Sequence, residues 1–168
     1  MRALASSMLV IALALPGCGV GASVEATRAH APEPYADHEC AACGMIVREQ
    51  LSPRAQVAHR DGTHAWLCSI ADAAAYVAAP SPHGRIEQIW VETLASDVDI
   101  AAGETAPRPW AEASSAWFVL GVERMGVMGA PVLVFGCEAD ARAASARLGG
   151  RIARWDALMS ELGGGGAP

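Results

Sequence analysis

The apolar positions of this chain fall into short runs, and the way each run is punctuated predicts an element. The first run, Met8-Leu9-Val10-Ile11-Ala12-Leu13-Ala14-Leu15, is unbroken and follows a lone Arg2. It is too short to span a bilayer and ends in small residues, as a signal peptide does. Further on, Gln56-Val57-Ala58-His59 and His64-Ala65-Trp66-Leu67 flank Asp61-Gly62, which predicts a hairpin. Cys68-Ser69 then opens a helix from about Ile70 to Ala79. Ser69 stands at the cap, Asp72 three residues on in the capping-box position, and Pro80 and Pro82 end it. A strand is predicted near Ile86 to Thr93.

The same order then returns. Ala116 to Val122 reads as strand, and a loop of Gly and Met leads to a second strand, Val132 to Phe135. A helix from Glu138 to Leu148 begins with acids and stops at Gly149-Gly150, matching the helix dipole and the glycine terminator. A closing strand is predicted over Arg151 to Trp155, then a short helix, Ala157 to Leu162, capped by Asp156. Strand–strand–helix–strand twice predicts an α+β fold of two small, similar lobes, 38–105 and 106–162. The repeat lies in the pattern, because shared alanines mean little in a chain so rich in them. Gly44-Met45-Ile46-Val47 reads as one further strand.

Outside the lobes the chain is punctuated differently. Leu15-Pro16-Gly17-Cys18 closes the leader (1–17) and resembles a bacterial lipobox, in which Cys18 is acylated and anchors the mature protein to a membrane. The following segment, 18–37, is rich in small residues with Pro32 and Pro34, and reads as a flexible tether. The Gly run of 163–168 reads as a disordered tail. A net charge of −6 over 168 residues, with no basic run, excludes nucleic acid as a partner.

Five cysteines less Cys18 leave Cys40, Cys43, Cys68 and Cys137. An even number of thiols in an oxidising compartment fits two disulfides as well as it fits a metal site. The densest chemistry is Cys40-Ala41-Ala42-Cys43-Gly44-Met45, two thiols and a thioether within six residues. Soft sulfur donors of this kind select Cu(I) over hard cations. On the predicted strand Cys43 and Met45 share a face, with Cys40 able to join from the preceding loop. Met125 and Met128 flank Gly126 in the loop of the second lobe, and Met128 is the candidate that would complete the site across the lobe interface. Cys68 and Cys137 each stand where a strand passes into a helix, and a helix N-terminus lowers a thiol pKa. Cys137 fits better as a core residue, whereas Cys68 is a further candidate ligand. His59, His64 and His83 lack metal-site spacing and read as surface residues. No nucleophile elbow, zinc-protease helix or phosphate loop is present.

The chain resembles the NosL family. The resemblance rests on Cys40-x-x-Cys43-Gly44-Met45, on Asp61-Gly62 before Trp66-Leu67-Cys68-Ser69, and on Ala116-Trp117-Phe118-Val119, Met128-Gly129 and Leu148-Gly149-Gly150. It departs at Val127, where the family often has Pro, and over 90–99, which lacks the expected aromatic character. The resemblance implies a non-catalytic, Cu(I)-binding lipoprotein on the periplasmic side of an inner or outer membrane. It further implies assistance in maturing the copper sites of nitrous-oxide reductase, with that enzyme or its assembly complex of transporter and periplasmic factors as partner. Two other readings stay open on the residues alone. One is a thiol–disulfide redox protein using Cys40 and Cys43, and the other is a zinc- or mercurial-thiolate domain using Cys40, Cys43 and Cys68.

Overall fold

The computed structural model describes residues 31–51, 53–102, 105–123 and 130–163. The Asp61-Gly62 hairpin forms as predicted. Strands β1 (Ala55–His59) and β2 (His64–Leu67) pair antiparallel, with Asp61 Oδ1 accepting from the Thr63 N–H at 2.9 Å to tighten the turn. Helix α1 (Ile70–Ala78) follows, then β3 (Ile86–Glu92), which pairs with the other edge of β1. The second lobe repeats this with β5 (Trp117–Leu120), β6 (Val132–Phe135), α2 (Glu138–Leu148) and β7 (Arg151–Ala153). Strand orders are β2-β1-β3 and β6-β5-β7, so in each lobe the first strand lies central and the helix crosses between its neighbours. The fold is α+β with two antiparallel sheets and three helices.

Three features depart from the sequence expectation. A short strand, β4 (Trp110–Glu112), extends the first sheet beside β3. At three residues it is too brief to carry a period of its own. Trp155 does not end the closing strand but opens helix α3 (Trp155–Leu162), with Arg154 at the cap position. Asp156 therefore lies in the first turn, where its charge faces the helix dipole without capping it. Gly44 to Val47 is not a strand. Gly44 adopts a positive φ of 76°, its N–H bonds the Cys40 carbonyl at 2.8 Å, and the chain enters a short 3₁₀ turn at Val47–Glu49.

Alternation in the second sheet explains why its strands read as continuous apolar runs. Phe118, Leu120, Val132 and Val134 face a core shared with the first lobe, while Val119, Leu133 and Phe135 face α2 through Ala141 and Ala144. Both faces are covered, so neither needs polar residues. Gly149 and Gly150 end α2 at positive φ, and a Cβ on Gly150 would stand 2.5 Å from the Leu120 carbonyl oxygen. Only glycine lets β7 return this closely to β5.

The first lobe buries a charge pair. Arg54 and Glu92 are both fully buried and joined by two parallel hydrogen bonds of 2.8 Å, from Nε and Nη2. The same guanidinium donates to the carbonyls of Arg48, Gln50, Thr105 and Ala106, and stacks 4.4 Å from the Tyr35 ring centroid. Tyr35 is itself buried, and the Glu33 N–H bonds Gln56 Oε1 at 2.9 Å. Packed structure therefore begins inside the segment that reads as tether. Among the described residues no helix is long and apolar enough to cross a membrane.

Candidate metal centre

Two elements meet to build the site. The first is the turn over Ala41–Cys43, closed by the Cys40 N–H donating to the Met45 carbonyl at 2.7 Å. The second is the junction between β2 and α1, where Cys68 precedes the capping Ser69. The turn is stitched to that junction by a bridge between Cys40 and Trp66, with the Ala41 N–H donating to the Trp66 carbonyl at 2.9 Å. His38 stacks on the Trp66 ring at 3.6 Å between centroids, only 9° from parallel. These contacts bring Cys40 and Cys43 to Cys68 across more than twenty intervening residues.

The geometry is close. Cys43 Sγ lies 3.4 Å from Cys68 Sγ, and the Cys68 N–H points at Cys40 Sγ over 3.4 Å. The Cys68 thiol donates to Asp72 Oδ2 at 3.0 Å. The three sulfurs and the Asp72 carboxylate oxygen all lie within 4.8 Å of one another. All three cysteines are free thiols, Cys40 and Cys68 buried and Cys43 exposed.

Electrostatics divide the two buried thiols. Cys40 is held down to about 5, first by its hydrogen bond with Cys68 and then by the backbone N–H groups of Cys68, Ala42 and Cys43, against the cost of burial. Cys68 is pushed up, because the Cys40 sulfur, burial and the Asp72 carboxylate all favour its protonated form. The helix N-terminus was expected to lower the Cys68 pKa, and its two anionic neighbours reverse that effect. The Cys40 sulfur thus faces the Cys68 backbone N–H, while the Cys68 S–H is given to Asp72.

Sequence reasoning about the other residues fares unevenly. Met45 is half-buried and packs against the core, so it does not share a strand face with the exposed Cys43. Met125, Met128 and Cys18 lie outside the described residues. Cys137 stands at the N-cap position of α2 without a side-chain cap bond, and is half-buried and disulfide-bonded rather than a core thiol. His59 is not a surface residue. It is fully buried, with Nε2 2.9 Å from the Tyr76 hydroxyl. His38, His64 and His83 line a cavity of about 400 Å³ beside the cysteine turn and contribute nothing to the cluster itself.

Asp72 is the residue that sequence reasoning missed. Read as half of a capping box, it does receive the cap, its N–H bonding Ser69 Oγ at 3.0 Å. Its carboxylate does not reach back to the Ser69 backbone. It accepts from Ser69 Oγ at 2.8 Å and from the Cys68 thiol. The available signal was the Cys68-x-x-x-Asp72 spacing, which places both on one side of a helical turn.

Fold and site together define a two-sheet α+β domain that gathers three thiols and a carboxylate into one metal-sized cluster. The NosL family model matches residues 32–162, and the chain belongs to that family. It is 28% identical over 157 residues to the copper-binding lipoprotein NosL of Stutzerimonas stutzeri, covering 92% of this chain and 78% of the relative. The crystal structure of the copper chaperone NosL from Shewanella denitrificans superposes with a TM-score of 0.62 at 24% identity. That match covers 75% of this chain and 93% of the other, and it shows a shared fold.

Proposed function

We propose that this protein is a lipid-anchored, extracytoplasmic carrier of Cu(I) that supplies copper for assembly of the nitrous-oxide reductase copper sites. The observation that carries the reading is the convergence of Cys40, Cys43 and Cys68 within 4.8 Å. Three sulfurs at that spacing suit the low-coordinate, soft demand of Cu(I). Cys40 enters as a thiolate, Cys43 offers an exposed sulfur, and Cys68 supplies a third on losing its proton. Met45 and Met128 are proposed as thioether donors, with Met125 in reserve, and Cys18 as the acylated anchor holding the domain on the periplasmic side of the membrane. The names of the relatives, a copper-binding lipoprotein and a copper chaperone, support copper as the cargo.

The oxygen of Asp72 keeps a second reading in play, since three thiolates and a carboxylate also make a tetrahedral zinc set. Competition of the reduced, anaerobic protein against calibrated Cu(I) and Zn(II) chelators separates the two. Cu(I) bound far more tightly than zinc supports the carrier, and the reverse order overturns it. The client is tested by deleting the gene and measuring the copper content of nitrous-oxide reductase, which should fall.

A further inference from the structure

Of the three thiols in the cluster, two are already in contact. Cys43 Sγ and Cys68 Sγ stand 3.4 Å apart, one exposed and one buried. A disulfide needs about 2.05 Å between the sulfurs. The exposed Cys43 side chain can cover the remaining distance by its own rotation, while Cys68 stays fixed at the β2–α1 junction. Cys40 is set apart by its surroundings. It is buried, and the Cys68 N–H points at its sulfur, so it keeps its place while its neighbours react. Beside the pair lies a carboxylate, Asp72, a harder donor than sulfur and one that suits Cu(II) better than Cu(I).

We infer that Cys43 and Cys68 form a two-electron couple that reduces arriving Cu(II) to Cu(I) and closes into a disulfide. This rests on the reading of copper as cargo and adds an activity to it. The step balances with Cu(II) as oxidant. Each sulfur gives one electron, two Cu(II) ions become two Cu(I), and one S–S bond forms. The proton of Cys68 leaves through Asp72, whose carboxylate already accepts it, and the proton of Cys43 leaves directly to water. Cys40 remains to hold one Cu(I), the second passes to an external dithiol, and reduction by that dithiol reopens the bond and returns Cys43 and Cys68 to the three-sulfur site.

The test uses the reduced full-length protein under argon, mixed with two equivalents of Cu(II). Loss of the Cu(II) paramagnetic signal should be accompanied by a disulfide that peptide fragmentation places between Cys43 and Cys68. Persistence of the signal, a Cys40–Cys43 bond or a cross-linked dimer would each overturn the inference, and this mapping needs no variant. In addition, Cys40→Ser/Cys68→Ser, which leaves Cys43 with no neighbouring thiol in the cluster, should slow the reduction by at least about 100-fold, because closure within one site becomes an encounter between two molecules. An unchanged rate counts against the couple. Cu(I) affinity measured on the same reduced protein keeps the two readings distinct. Tight Cu(I) binding without Cu(II) reduction removes only the couple, whereas absent Cu(I) binding removes the cargo reading as well.

Discussion

The Cys68 thiol donates to the Asp72 carboxylate at 3.0 Å, so the third sulfur of the cluster carries a proton that its own neighbour helps retain. At the proposed site Cu(I) would have to displace that proton to use all three sulfurs, which predicts binding coupled to pH.

Asp72→Asn should weaken that coupling. An amide keeps the size and leaves the Ser69 cap on the backbone N–H intact, but removes the negative charge that favours the protonated thiol. The apparent Cu(I) affinity of the native protein should rise with pH across the range in which Cys68 loses its proton. In Asp72→Asn the rise should begin at lower pH. Competition titrations at a series of pH values check this, and identical profiles would remove Asp72 from the account.

Stability of the reduced, metal-free protein should vary with pH in a direction set by Cys40. Its folded pKa is depressed to about 5, so the folded state favours the thiolate. That contribution is fully present above the unfolded thiol value of about 8.5 and is lost as pH falls through about 5. Cys68 has the opposite sign, since its raised pKa costs stability once pH exceeds the unfolded value. Melting temperature should therefore climb from pH 5 toward pH 8 and turn over above it. Cys40→Ser should flatten the climb, as thermal scans would show.

Cys43→Ser should separate binding from folding. The side chain is exposed, so the melting temperature should hardly move, while Cu(I) affinity drops by at least about 100-fold, the upper end of what outer-shell losses cost metal sites. Met45→Leu keeps the packing of a half-buried side chain and removes its sulfur, so a smaller loss of affinity with little loss of stability is expected. Parallel chelator competition and thermal scans read both. A Met45→Leu protein with native affinity would make Met45 a packing residue alone.

Glu92→Gln should be far more damaging to the fold than to the site. Removing one charge leaves the Arg54 guanidinium buried without its counter-ion, which costs about 3–5 kcal/mol. Replacing both residues with apolar side chains of similar volume should recover part of that loss. Chemical denaturation of the two variants decides the matter, and equal stabilities would place the worth of the pair elsewhere.

The β–β–α–β repeat was legible because each lobe advertises it locally, with an Asp-Gly turn, a Ser69 cap and a Gly149-Gly150 stop. The strand β6 and the helix α2 fall where the pattern puts them. What was not legible depends on contacts between distant segments. Gly44-Met45-Ile46-Val47 has the composition of a strand, but the Cys40 carbonyl captures the Gly44 N–H and the chain turns instead. His59 looked like a surface residue because its partner Tyr76 lies on a helix whose docking no local pattern reveals. The cysteines themselves were legible as candidates. Their union with Cys68 depends on the bridge from Cys40 to Trp66, and the role of Asp72 was hidden behind its equally valid use as a cap.

The burial of the cluster is lopsided, and that gives a cargo ion a front and a back. Cys40 and Cys68 are 3% and 5% exposed, whereas Cys43 faces solvent. An incoming ligand from a proposed recipient would meet the Cys43 sulfur first and the two buried sulfurs only afterwards. For the proposed carrier this predicts transfer by ordered exchange, one bond surrendered as one is gained, with the ion never free in water.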